Sequence, residues 1–144
     1  MKNLTEYITE VVSFLQQGKT ILYPTDTIYG IGCDATNEKA VDKIFGIKNR
    51  PKEKSLIILV DSIEMLKQYV DVTNEIQFLI SSFELPTTVI YSNPKKIARN
   101  AINNDNTIAI RIVNHPFCQE LIHQFGKPII STSANVSGEK NPVS

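Results

Sequence analysis

The chain has 144 residues, 42% hydrophobic and 21% charged, which suits one domain with its own core. Fifteen basic and fifteen acidic residues leave no net charge, which excludes a protein that coats nucleic acid with a broad basic surface. No apolar run approaches the roughly 20 residues of a membrane span, and the start, Met1 to Glu6, lacks the apolar core of a signal peptide; a cytoplasmic protein with no membrane contact is expected.

Leu4 to Gln17 reads as an amphipathic helix, with Leu4, Ile8, Val11, Val12 and Leu15 as its stripe. Asn3 with Glu6 resembles a capping box, and Gly18 suits the C-terminal cap. Thr20 to Tyr23 is an apolar, β-branched run of strand character that Pro24 stops. After Thr25-Asp26-Thr27 come Tyr29-Gly30-Ile31-Gly32, where two glycines suggest a sharp bend or the close approach of a ligand. A helix is predicted from about Asn37 to Lys48, then the loop Lys48 to Lys54, then a strand over Leu56–Val60. Asp61 or Ser62 can cap a short helix through Met65, Leu66 and Tyr69, and Thr73 can cap another through Ile76, Phe78, Leu79 and Ile80. Thr87 to Tyr91 and Thr107 to Val113 read as strands, with a weak helix or loop from Pro94 to Ile102 between them. Pro116 fits the first turn of a helix whose inner face is Phe117, Cys118, Leu121, Ile122 and Phe125, ended by Gly126. Pro128 to Ser131 is the last strand. Strands alternating with helices give an α/β fold with an open, mixed sheet and flanking helices.

From Asp42 to Lys54 there are five basic and two acidic side chains, a local excess of three positive charges in a neutral chain. Lys48, Arg50, Lys52 and Lys54 alternate, so an extended loop points them to one side. A triphosphate is the natural partner, since each nearby cation contributes roughly 4 kcal/mol at an effective dielectric near 20 before desolvation. The bland alternative is a solvated connector. Ser131-Thr132-Ser133-Ala134-Asn135 follows a strand, where ligands of open α/β sheets bind; its alternative is a polar turn. Arg111 inside an apolar strand is costly unless it is paired at the sheet edge or faces a ligand. His115 reads as a cap, His123 as solvated, and Asp26 and Asp34 as turn formers more than magnesium ligands. Cys33 and Cys118 follow no metal-ligand spacing and read as reduced, packed thiols; no resident metal is expected. There is no phosphate-binding Gly-x-x-x-x-Gly-Lys-Ser/Thr and no Gly-x-Gly-x-x-Gly. An enzyme built from these parts works by holding charged reactants in place.

Three blocks, in order, resemble one known family. Tyr23-Pro24-Thr25-Asp26-Thr27-Ile28-Tyr29-Gly30-Ile31-Gly32 with Lys48-Asn49-Arg50-Pro51 and Lys54-Ser55-Leu56 is similar to the YrdC-like threonylcarbamoyl-AMP synthases. So are Ala109-Ile110-Arg111-Ile112-Val113-Asn114-His115-Pro116 and Ser131-Thr132-Ser133-Ala134-Asn135-Val136-Ser137-Gly138. The segment Phe83 to Thr88 departs from that family's Trp-Pro-Gly-Pro-x-Thr, and Lys54-Ser55-Leu56 departs from its Lys-Pro-Leu. The resemblance implies a twisted open sheet of the YrdC/RibB (DHBP synthase-like) kind, as one domain over 1–144 that is short at its C-terminus. It implies an L-threonylcarbamoyladenylate synthase, a nucleotidyltransferase that joins L-threonine, bicarbonate or carbon dioxide, and ATP with Mg2+, for the t6A modification at adenosine 37 of tRNA. Thr27, Thr88, Arg111 and Ser131 would bind threonine. Lys48, Arg50, Lys54, Ser133 and Asn135 would bind the nucleotide, with Lys48, Arg50 and Ser133 catalytic. Partner proteins of the t6A assembly are implied too. The competing expectation is a double-stranded RNA-binding, translation-associated module on the same basic concave face, extended by Lys95, Lys96 and Arg99.

Overall fold

A computed structural model describes residues 3–24, 29–48, 56–84 and 87–133. The first helix, α1 (Leu4–Gln16), starts where the Asn3 side chain accepts a hydrogen bond from the Glu6 amide at 2.9 Å. It buries Ile8, Val11, Val12 and Leu15, the predicted stripe without Leu4, which stays exposed. Gly18 follows at φ +77°, a left-handed conformation that glycine adopts without Cβ penalty.

Strand β1 (Ile21–Pro24) pairs antiparallel with β2 (Tyr29–Asp34). This second strand corrects the reading of Tyr29 to Gly32 as a bend. Neither Gly30 nor Gly32 has a positive φ. Their segment is held on both sides, by β1 and by the final strand β6 (Ile129–Ser133), and that pairing outweighs the weak strand propensity of glycine. Helix α2 (Glu38–Lys48) begins at Asn37, whose side chain accepts from the Ala40 amide at 3.1 Å. It is followed by β3 (Ile57–Val60) and the short α3 (Ile63–Leu66), capped by Ser62. Thr73 caps α4 (Asn74–Ser81), as its position predicted. Of that helix's apolar residues, Ile76 and Ile80 pack on the core, while Phe78 and Leu79 are 79% and 56% exposed. Strand β4 (Thr88–Ser92), a 3-10 turn (Arg99–Ala101), β5 (Thr107–Ile112) and α5 (Pro116–Phe125) complete the order before β6.

The six strands form one sheet in the order β1-β2-β6-β3-β5-β4. Among the described strands only β3 and β5 run parallel, so the sheet is mixed, as expected. One face is buried through its centre, at Cys33, Ile58, Ile108, Ile110 and Ile130. No described helix is long and apolar enough to cross a membrane.

Two glycines give a pair of predictions of opposite sign. Gly126 ends α5 at φ +81°, and an added Cβ would meet nothing within 4 Å. The cost of Gly126→Ala is therefore conformational alone, about 1 kcal/mol of lost stability in urea unfolding. Gly46 lies inside α2 and is equally open. There alanine restricts the unfolded chain and favours the helix, so Gly46→Ala is expected to stabilise by roughly 0.5–1 kcal/mol in the same assay.

Candidate active site

Residues in register across a sheet share a face. On the face opposite the buried one, Gly30 aligns with Ser133. The next row runs Gly32, Ser131, Ile57, Ala109, Ile90. The row after it runs Asp34, Ile129, Leu59, Arg111, Thr88. Ile129 and Leu59 are covered, but Ser131, Ile57, Ala109, Arg111 and Thr88 are half-buried and Ile90 is 69% exposed. This is an open face with a floor of small and aliphatic side chains.

Arg111 sits on it one strand in from the sheet edge. Its Nε donates to the Thr88 hydroxyl at 3.1 Å, directly across the β4–β5 pair. Thr88 thus fixes the plane of a guanidinium that would otherwise have several rotamers. A planar, half-desolvated guanidinium is built to recognise a carboxylate or phosphate through paired hydrogen bonds. Ser131 lies two strands away and one row along, roughly 12 Å from Arg111 between Cα atoms by strand spacing and rise. That span fits a small amino acid and part of a second reactant. Gly30 and Gly32 stand opposite Ser133 and Ser131 and put no side chain on the face, and both are themselves buried.

Of the nine residues singled out from sequence, the structure brings Thr88, Arg111 and Ser131 onto this one face. Ser133 closes β6, opposite Gly30, and Lys48 closes α2. Thr27, Arg50, Lys54 and Asn135, with the whole cationic loop after Asn49, lie outside the described residues. The row partners Ile57 and Ala109 escaped sequence reasoning, since only the register shows which strand residues stand between Arg111 and Ser131. Gly32 carried a signal that could have been read: Tyr29, Ile31 and Cys33 alternate with Gly30, Gly32 and Asp34 at the period of a strand.

The remaining candidates take structural roles. His115 caps α5, its Nδ1 accepting from the Phe117 amide at 3.2 Å. The His123 side chain is 76% exposed and lies 3.3 Å from Asp61. Asp34 accepts from the Thr36 amide and hydroxyl at 2.8 and 2.7 Å, the turn role anticipated for it. Among the described residues no group of His, Cys, Asp and Glu is placed to hold a metal. Lys96 and Arg99 do not extend the open face: they line a different groove, and Lys95 pairs with Asp71 at 3.3 Å. An apolar cavity of about 340 Å3, lined by Ile80, Phe83, Val89, Tyr91 and Ile112, lies under the other face of β4 and β5. It is therefore separate from the Arg111–Thr88 pair.

Cys33 and Cys118 are buried and joined in no disulfide. Burial, reinforced by the neighbouring Asp34 carboxylate, pushes Cys33 up from 9.0 to about 12. The unfolded thiol ionises first, so the folded chain holds one more proton above pH 9. Stability from this group is present below pH 9 and is lost as pH rises toward about 12, at roughly 1.4 kcal/mol per unit. Tyr69 and Tyr91, also raised by burial, add the same trend only above pH 10. In Cys33→Ala the stability decline between pH 9 and 10 is expected to flatten, as read by urea midpoints against pH.

The profile of the Sua5/YciO/YrdC family, described as telomere recombination, matches residues 13–144. A threonylcarbamoyl-AMP synthase of Photobacterium profundum is 40% identical over 135 residues, covering 91% of this chain and 73% of that protein. The crystal structure of P. abyssi Sua5 complexed with L-threonine superposes with a TM-score of 0.86 at 33% identity, over 95% of this chain and 41% of that one. E. coli YciO superposes with a TM-score of 0.81 at 26% identity, over 96% of this chain and 68% of that one. The chain thus spans about two-fifths of the Sua5 chain and about two-thirds of YciO.

Proposed function

On the premise that this chain belongs to the Sua5/YciO/YrdC family, we propose that it is an L-threonylcarbamoyladenylate synthase, with residues 1–144 acting as one domain. The observation that carries this reading is the Arg111–Thr88 hydrogen bond on the open face, with Ser131 on the same face. A guanidinium fixed by a hydroxyl suits the carboxylate of an α-amino acid, and the relatives named above include a synthase of this type and a homologue crystallised with L-threonine.

In this reading Arg111 takes the threonine carboxylate, with Thr88, Ser131 and Thr27 completing the pocket. The amine of threonine adds to carbon dioxide and loses a proton, giving a carbamate. A carbamate oxygen then attacks the α-phosphorus of ATP, the bond from that phosphorus to the bridging oxygen breaks, and pyrophosphate leaves. Lys48, Arg50 and Lys54 face the phosphates and stabilise the charge that builds on them, while Ser133 and Asn135 hold the adenylate. Magnesium enters as part of the nucleotide substrate. The product, threonylcarbamoyl-AMP, feeds the modification of adenosine 37 in tRNA. No protein nucleophile takes part.

The test is pyrophosphate release with ATP as substrate. Release is expected only when both threonine and bicarbonate are present, with threonylcarbamoyl-AMP appearing by mass spectrometry. Release that ignores threonine would sink the reading. No observation on the open face favours double-stranded RNA there, since Arg111 is its described cation and Lys96 and Arg99 lie elsewhere.

A further inference from the structure

The sheet ends at β4, and nothing in that strand guards the end. Its residues, Thr88-Val89-Ile90-Tyr91-Ser92, include no charge, no proline and no glycine. Its register with β5 is unbroken over Thr88 to Ser92, so no bulge turns the edge aside. Charges, prolines and bulges are the devices by which edge strands avoid a further partner. The opposite edge strand has one of them, since β1 closes on Pro24. Among the described residues no backbone hydrogen bond reaches β4 from its outer side. Alternate amides and carbonyls of the strand therefore face outward.

The side chains at this edge are apolar as well. Ile90, at the centre of β4, is 69% exposed on the open face. On the other face α4 stands over the same strand, for Ile80, Ser81 and the following Phe83 line one cavity with Val89 and Tyr91. Yet α4 buries none of its residues, and Phe78, Leu79 and Phe83 are 79%, 56% and 38% exposed. With about 200 Å2 for a whole aromatic residue and slightly less for a whole aliphatic one, Ile90 and these three present roughly 450 Å2 of apolar surface. One partner of a stable complex buries about 800 Å2, a little over half of it apolar. The patch has the size that one more chain would cover.

We propose that β4 pairs antiparallel with β4 of a second copy, about a two-fold axis at Ile90. The strand is complementary to itself in that register. Ile90 meets Ile90, Thr88 meets Ser92, and Val89 meets Tyr91, so each pair is apolar with apolar or hydroxyl with hydroxyl. An uncharged edge gives a charged partner nothing to grip, whereas the identical strand fits it. The second α4 comes alongside the first, and Phe78, Leu79 and Phe83 are the apolar side chains the two have to pack. The pairing is closed, because it consumes the β4 edge of both copies. It also sets Ser92 of the second copy beside Thr88, in the row that holds Arg111, so that two open faces join into one floor. The proposal rests on the edge alone and is independent of the synthase reading.

The experiment is sedimentation velocity on the whole chain over a dilution series. A reversible dimer of two 16.2 kDa chains is expected. Ile90→Lys sets two ammonium groups against each other on the axis and should weaken the dimer at least about tenfold. Ile90→Ala keeps the backbone ladder and should weaken it no more than about fivefold. Leu22→Lys, a like change at an exposed position on β1, should leave the dimer as it is. Ile90→Cys brings two thiols together across the axis, and oxidised glutathione should convert it to a covalent dimer on a non-reducing gel; Leu22→Cys should stay single. The cysteine pair decides the matter should Ile90→Lys fail to fold by circular dichroism. A monomer at every concentration would overturn the proposal, and β4 amides protected from hydrogen exchange in that monomer would assign the edge to another part of the same chain. A dimer indifferent to Ile90→Lys, one lost in Leu22→Lys, or growth past two chains would overturn it equally.

Discussion

Replacing Arg111 by alanine is expected to raise the threonine concentration needed for half-maximal pyrophosphate release by a hundredfold or more. Removing one member of a half-buried, hydrogen-bonded charge pair costs about 3 kcal/mol or more, because the substrate carboxylate is then desolvated without a partner. Arg111→Lys should recover little of this. An ammonium is a point charge, and it cannot keep the bond to Thr88 while presenting a planar fork to a carboxylate. Thr88→Val removes the hydroxyl and keeps the shape, so it should cost less, about tenfold, by freeing the guanidinium plane. Threonine titrations on each folded variant, monitored by calorimetry, read the effect on binding directly. Lysine restoring full threonine affinity would show that the fork is not what recognises the substrate.

The second large effect is on stability. Ile130 is fully buried on β6, in register with Cys33 and Ile58, which are also fully buried. Ile130→Ala is expected to destabilise by about 2–5 kcal/mol, the transfer term plus the cavity left in a wall that cannot collapse. For a domain of this size that lowers Tm by roughly 10 °C. Ile90 has the same side chain on the edge strand but is 69% exposed. Ile90→Ala should change stability by no more than about 0.5 kcal/mol. The contrast is read by calorimetric melting of both variants. Equal effects at the two positions would mean that β6 is not interior to the sheet.

Most of the elements were legible because their signals are local. Asn3, Ser62 and Thr73 cap the helices they precede, and Gly126 ends α5 in the left-handed conformation its position demands. Strand β2 carried only a weaker local signal, the alternation of Tyr29, Ile31 and Cys33 with Gly30, Gly32 and Asp34. Tyr-Gly-Ile-Gly-Cys-Asp has the composition of a turn, and only flanking strands from both ends of the chain make it extended. Helix α4 shows the converse: its apolar content predicts the helix but not that Phe78 and Leu79 face outward.

The open face divides along the same line. Arg111 stood out because a cation in an apolar strand needs a reason. Its partner was among the candidates, yet the bond to Thr88 depends on how β4 aligns with β5, a non-local pairing that composition does not encode. Likewise, the cluster of Lys96, Arg99, Lys39 and Lys127 is scattered in sequence and assembles only when three turns converge.

The position of β6 has a consequence for synthesis of the chain. β1 and β2 form one ribbon, and β3, β5 and β4 form another; β6, spanning Ile129–Ser133, is the slat that joins them. Until those five residues have left the ribosome, both ribbons carry a raw edge rich in unmatched amides and carbonyls. The nascent protein is therefore most prone to clumping until β6 has emerged, and a chaperone that shields strand edges should act on it before then.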